Sequence, residues 1–222
     1  MNIADLVNLK DYTPLSLITF GLGCVGWLVV YAIVIRDLIK KKTLEIPIEA
    51  VCSNFAWEIC WGLIYKTDMG LLFQWAYKFW FFFDVFIVFF AIKYGRKQMT
   101  NPLTQKYYMP LVISQLVAWV MFFYYFIPEY DDKFGALTGY MISVYMGFLF
   151  IIQKLKQPNS FGNSKVIAWV KFLSTGGCTF ACFQRYPDHK TLMICILWWF
   201  ITDFVYALMV TKGIKNTTET VQ

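Results

Sequence analysis

The stretch Asn54-Phe-Ala-Trp57-Glu58-Ile-Cys-Trp61-Gly-Leu-Ile-Tyr65 is apolar enough to lie inside a lipid bilayer, yet it carries a carboxyl group in its interior. Two further acids stand in similar surroundings, Asp84 in Trp80-Phe-Phe-Phe-Asp84 and Asp203 in Trp199-Phe-Ile-Thr-Asp203. No basic residue is placed in the sequence to neutralise either one. An ionised side chain at the bilayer centre costs roughly 2.5–3.5 kcal/mol on insertion scales, so acids in such segments face a bundle interior and mark a functional site.

Composition sets the class around this stretch. With 59% hydrophobic, 20% aromatic and 15% charged residues, the chain cannot cover itself with a polar surface as a soluble globule. It reads as an all-α, polytopic membrane protein. A span needs about 20 apolar residues, which predicts a bundle of seven transmembrane helices at 15–35, 47–65, 70–93, 107–127, 134–153, 165–183 and 191–211. The connections are short, so residues 1–222 are expected to form a single seven-helix transmembrane domain. The segment before Thr13 lacks a basic start, and the first apolar run leads into Arg36-Asp-Leu-Ile-Lys40-Lys41-Lys42, which argues against a cleaved signal peptide.

The formal charge of +6 could suggest nucleic acid, but its distribution gives another answer. Basic residues gather after the first, third, fifth and seventh spans (Arg36 to Lys42, Lys93 to Lys106, Lys154 to Lys165, Lys212 and Lys215), while the opposite ends hold Lys10, Lys66, Lys133, Arg185 and Lys190. Positive-inside bias therefore predicts an outer N-terminus and a cytoplasmic C-terminus. The charge reads as topology, and neither a nucleic acid nor an obligatory protein partner is inferred.

The six cysteines lie in apolar spans, where a thiol acts as a small hydrophobe. His189 is the only histidine and sits in a loop, so no usual Cys/His metal cluster can be assembled and no metal ligand is assigned. In span one, Gly21, Gly23 and Gly26 allow close helix approach. Lys171 in span six lies near enough to the inner surface to snorkel, and this is favoured over a buried counter-ion. The match of Val34-Ile-Arg-Asp-Leu38 to Ile151-Ile-Gln-Lys-Leu155 at an offset of 117, and of Trp80-x-x-x-Asp84 to Trp199-x-x-x-Asp203 at 119, hints at a three-plus-one-plus-three parallel repeat. Chance similarity among apolar segments is the rival explanation.

Spacings of three and four put Asn54, Trp57, Glu58, Trp61 and Tyr65 on one stripe, and likewise Trp80 with Asp84, and Trp199 with Asp203 and Tyr206. Counting ~1.5 Å per residue from the outer span ends puts Glu58 roughly 10 Å, Asp203 roughly 18 Å and Asp84 roughly 21 Å down. If spans two, three and seven adjoin, the acids line one aromatic cavity. Desolvation and like charge then keep at least one of them protonated at neutral pH, and a neutral carboxylic acid in such a pocket can act as a general acid. Aromatic faces also stabilise positive charge. The alternative is that the acids only hydrogen-bond across helices and hold the bundle together.

At Asn54-x-x-Trp57-Glu58, Trp80-x-x-x-Asp84 and Trp199-x-x-x-Asp203-x-x-Tyr206, the chain resembles the small seven-helix membrane terpene cyclases of fungal meroterpenoid and indole-diterpene biosynthesis. The resemblance implies a non-redox, metal-independent, cofactor-free enzyme that protonates a prenyl or epoxyprenyl substrate and closes rings through carbocations. Glu58 and Asp203 match its expected catalytic acids, and Asp84 matches a third acidic position. Asp203 is expected to be the donor, with Glu58 positioning the oxygen or taking the final proton. Asn54, Trp57, Trp61, Tyr65, Trp80, Trp199 and Tyr206 are the expected contacts of a hydrophobic prenylated molecule supplied within the bilayer. Asp131-Asp132-Lys-Phe-Gly135 does not complete an Asp-Asp-x-x-Asp magnesium motif. A fungal source would place the protein in the endoplasmic reticulum. Richness in Lys, Asn, Ile and Phe points instead to an AT-rich bacterial genome and an inner membrane.

The main rival is a proton-coupled transporter, against which the prolines argue, since all seven stand at or outside span ends. A retinal protein is disfavoured more strongly, since span seven has no internal lysine to form the Schiff base. A non-catalytic receptor or scaffold is the third reading.

Overall fold

Proline and hydroxyl caps open several of the helices. In the computed structural model, which describes residues 3–99, 101–157 and 164–213, α1 runs Pro14–Lys41, with Thr13 accepting from Ser16 N and proline at the first position, where its missing N–H is harmless. It ends where Lys42 turns left-handed at φ 55°. The second helix, α2 (Ile48–Ile59), continues into a π-helical turn, Cys60–Ile64. Then follow α3 (Leu71–Tyr94), α4 (Tyr108–Glu129), α5 (Ala136–Lys156), α6 (Lys165–Arg185) and α7 (Lys190–Lys212). Short helical turns at Ile3–Leu6, Gly95–Gln98 and Pro102–Lys106 flank them. No strand occurs among the described residues, as the all-helical membrane class requires.

Six of these helices are long and apolar enough to cross a membrane. The seventh expected span is the exception: α2 has 12 residues and its π turn five. Beyond the turn Lys66 is exposed, but its neighbours are not. Residues 65–70 fold inward, with Thr67 and Met69 buried, beneath an N-terminal segment whose Asn8 N donates to Met69 O at 3.0 Å and whose Tyr12 hydroxyl reaches Asp68 Oδ1 at 2.6 Å. The depth assigned to Glu58 from sequence therefore starts from the wrong reference point, and Glu58 lies level with Asp84.

Helix neighbours follow an exchange rule. α1 packs on α3 and α6, α5 packs on α7 and α2, α2 packs on α3, and α6 packs on α7. Swapping the first three helices with the last three leaves this pattern unchanged, while α4 lies outside it against α2. The internal repeat suggested by the two sequence offsets thus has a counterpart in the packing. Of the three span-one glycines, Gly23 and Gly26 serve the α1–α6 contact: a Cβ would lie 2.5 Å from Ser174 O at the first and 2.0 Å from Ser174 Oγ at the second. Gly21 meets only Phe73, at 3.9 Å. All six cysteines are free. Pro158 and Lys215, used in the sequence-based reading of proline placement and charge, lie outside the described residues.

Candidate active site

One turn of α2 separates Asn54 from Glu58, so both project from the same face. Glu58 is 1% exposed. Its Oε1 accepts from the Tyr31 hydroxyl of α1 and from Asn54 Nδ2 at 3.0 Å. The same nitrogen lies 2.8 Å from Asp84 Oδ2 on α3 and 2.8 Å from the Tyr31 hydroxyl oxygen. A primary amide has two hydrogens for these three acceptors, which ties Glu58, Asp84 and Tyr31 into one cluster in which the two carboxyls interact. Glu58 Oε2 is buried with no hydrogen-bond partner.

Glu58 lines a chamber whose walls include eight aromatic side chains. Trp57, Tyr77 and Trp80 meet there, with centroids 5.5 Å apart for Trp57–Tyr77 and 5.2 Å for Tyr77–Trp80. Their orientation is fixed from behind. Trp57 Nε1 donates to Thr138 Oγ1 at 2.9 Å, and that hydroxyl donates to Asp132 Oδ2 at 2.7 Å. Asp132, in the loop before α5, also accepts from Thr138 N at 3.0 Å, and burial pushes its carboxyl above the ordinary carboxylate range. Gly135 opens α5 at φ 76°, where a Cβ would stand 2.5 Å from the Trp57 ring, so both backbone and space call for glycine.

Below the chamber, toward the lysine-rich ends of α1 and α5, lies a second cavity. Trp27, Tyr31, Asn54 and Met146 border both. Asp84, Lys171 and Tyr206 line the second, whose mouth carries Asp37, Thr43, Glu45 and Ser164.

Asp203 differs from the sequence expectation in its surroundings. Lys171 is 3% exposed and does not snorkel: its ammonium contacts both oxygens of Asp203, and Trp199 Nε1 donates to Asp203 Oδ2 at 2.9 Å. The reason is tertiary. α6 and α7 pack side by side, so the lysine finds a carboxylate nearer than the aqueous surface. Asp203 therefore does have a basic partner. The single cavity expected for three acids is replaced by a Glu58–Asp84 pair joined through Asn54 and a separate Lys171–Asp203 ion pair.

Of the expected substrate contacts, Asn54, Trp57 and Trp80 line the chamber and Tyr206 the second cavity. Trp61 and Tyr65 border a separate outer recess beside Asp131 and Asp132. Trp199 lines neither main cavity; it stacks on Phe172 at 5.7 Å and holds Asp203. Sequence reasoning missed Tyr31 and Lys171 as partners of the acids. Tyr31 did leave a signal, a polar tip deep within an apolar span rather than in the interfacial belt where tyrosine gathers. Among the described residues no three His, Cys, Asp or Glu side chains group in a way that could hold a metal ion.

Comparison with known proteins places this arrangement. Terpene cyclase macJ of Penicillium terrestre is 27% identical over 167 residues, 72% of this chain and 63% of that protein. The Pyr4-family terpene cyclase mfmH of Annulohypoxylon moriforme is 22% identical over 79% of this chain and 74% of its own length, and terpene cyclase dpasB of Apiospora sacchari 23% over 82% and 77%. The chain thus spans somewhat under two thirds of macJ and about three quarters of the other two. No solved structure matches the chain. The model of the Pyr4-like transmembrane terpene cyclases matches residues 9–212, nearly the whole sequence, and this multi-pass membrane protein belongs to that family.

Proposed function

We propose that the chain catalyses an acid-initiated, metal-independent cyclisation of a prenyl or epoxyprenyl substrate, with Glu58 as the proton donor. The observation that carries this reading is the asymmetry of one carboxyl group on a residue lining an aromatic chamber: Oε1 is held by Tyr31 and Asn54, while Oε2 receives no N–H or O–H donor and the Asp84 carboxyl lies against Glu58. A proton on Oε2 passes to the oxygen of a terminal epoxide and the C–O bond opens. The electron pair of a neighbouring alkene closes the ring, and the last cation loses a proton from an adjacent carbon to the carboxylate, leaving an alkene. No electrons are gained or lost, and substrate and product are isomers. The faces of Trp57, Tyr77 and Trp80 stabilise the travelling positive charge. Asn54 supports the site by serving both carboxyls at once, so that Asp84 stays close as the proton's alternative station.

Asp203, paired with Lys171, is the weaker donor, because protonating it would strand a buried ammonium. Its role here is to neutralise Lys171 at the wall of the second cavity. Asp132 is occupied by Thr138 and Asp131 is paired with Lys133, which supports a reaction that does not use those acids as metal ligands. The relatives are fungal, which favours the endoplasmic reticulum as the membrane and an oily terpenoid dissolved in it as the substrate.

The test uses the full chain in membranes supplied with an epoxidised prenyl aromatic. A product of unchanged mass and altered retention is expected, and Glu58→Gln should abolish it with insertion and folding intact. Unaltered cyclisation by that variant would falsify the donor role. Uptake of the compound into vesicles with no chemical change would favour a carrier instead.

A further inference from the structure

Two residues that line the chamber each carry a buried side-chain oxygen with no hydrogen-bond partner. The oxygens are Glu58 Oε2 and Thr175 Oγ1, the latter on α6. A threonine inside a helix usually returns its hydroxyl to the carbonyl one turn back. Here Thr179 does so onto Thr175 O at 3.4 Å, Thr202 onto Trp198 O at 2.9 Å and Thr211 onto Ala207 O at 2.7 Å. Thr175 does not, although it is 6% exposed.

The repeat explains where this hydroxyl stands. The offset of 117 that joins Val34 to Ile151 carries Asn54 onto Lys171 and Glu58 onto Thr175. The hydrogen bonds support the correspondence, since Asn54 serves Asp84 on α3 while Lys171 serves Asp203 on α7. Under the helix exchange, Glu58 on α2 and Thr175 on α6 are counterparts in the two halves, both bordering one chamber. The α2 side brings the bulk of Trp57, whereas the α6 side brings Thr175, Cys178 and Cys182.

We propose that Thr175 is a second polar contact of the chamber, its hydroxyl donating a hydrogen bond to the epoxide oxygen of the bound substrate. This rests on the cyclase reading above and adds a substrate-orienting group to it. A hydroxyl can donate to an epoxide oxygen, which only accepts, and it carries no charge that would compete for the migrating cation. With Glu58 and Thr175 both engaged, the prenyl chain has a fixed sense within the aromatic walls, and the face on which the ring closes is set.

The experiment measures binding to full-length Glu58→Gln protein in nanodiscs, where no turnover intervenes. Adding Thr175→Val is expected to weaken an epoxyprenyl aromatic about fivefold to tenfold, the usual size for one neutral hydrogen bond. The corresponding alkene, which lacks the oxygen, should bind unchanged. Thr175→Ser should restore the epoxide affinity, and in the active background Thr175→Val should alter the ratio of cyclised isomers where Thr175→Ser does not. Equal weakening of both ligands would mean that Thr175 only packs, and no weakening would mean that it makes no contact; either overturns the proposal. Loss of a hydroxylated product alone, with both affinities intact, would point to a trapped water and overturn it as well. None of these outcomes depends on whether Glu58 is the donor, which the activity of the single Glu58→Gln variant reports.

Discussion

Asn54 Nδ2 lies 3.0 Å from Glu58 Oε1 and 2.8 Å from Asp84 Oδ2, so one amide serves two carboxyl groups on different helices. Replacing it with leucine removes both bonds, leaving Asp84 without this donor and Glu58 with Tyr31 alone. Asn54→Leu is expected to lower turnover by about 100-fold or more and to destabilise the fold by about 2–3 kcal/mol. Cyclisation assays and thermal denaturation in detergent measure the two effects, and wild-type values for both would remove Asn54 from the site.

Tyr31 offers a milder perturbation. Its hydroxyl donates to Glu58 Oε1, and phenylalanine preserves the ring while deleting that bond. Tyr31→Phe should reduce kcat about tenfold, the loss of roughly one charge-assisted hydrogen bond, with KM nearly constant. A change confined to KM would make Tyr31 a substrate contact rather than a support for the acid.

The Lys171–Asp203 pair is testable by a double-mutant cycle. Lys171→Met leaves a buried carboxylate alone, which typically costs about 3–5 kcal/mol, whereas removing both charges is often neutral. The single variant should lose stability heavily, and Lys171→Met with Asp203→Leu should recover most of it. Additive losses would show that the two side chains do not depend on each other.

Gly135 bears on the chamber from its rim. Alanine there meets both an unfavourable φ of 76° and the Trp57 ring. Gly135→Ala should destabilise by about 1–3 kcal/mol and depress cyclisation by displacing the indole. Melting temperature and turnover should fall together; a fully stable, fully active variant would contradict the contact.

Asp132 gives a pH signature. Burial raises its carboxyl above its ordinary value of 3.8, so the folded state holds the proton more firmly than the unfolded state. Its contribution to stability is greatest below that value and declines as pH rises through the folded one. Relative to Asp132→Asn, which does not titrate, the wild-type melting temperature should drop between pH 4 and pH 7. A constant difference across that range would show that the carboxyl is not perturbed.

The membrane class and the α2 face were readable because they depend on composition and helical period, which a linear sequence records directly. Asn54, Trp57 and Glu58 fall together by spacing alone. Depth was misread because it was counted from span ends that were assumed to reach the surface, whereas the π turn at Cys60–Ile64 and the buried Met69 segment shorten α2. The counter-ion of Asp203 was misread for a related reason: whether a lysine snorkels or pairs depends on which helix stands beside it, and adjacency of α6 and α7 is a property of the assembled bundle. Tyr31 and Thr175 are ordinary residues in their own spans and acquire meaning only from the groups they face.

The unequal furnishing of the two halves has an evolutionary consequence. Glu58 and the rings of Trp57, Tyr77 and Trp80 stand on α2 and α3, while small side chains enter the chamber from α5 (Ala136, Gly139, Ser143) and from α6 (Thr175, Cys178, Cys182). Exchanging one methyl or thiol there for another remoulds the space in which a flexible chain coils without disturbing the proton source. Descendants of one such scaffold could diverge in the carbon skeletons they form through a few changes along those two helices, keeping their means of ignition intact.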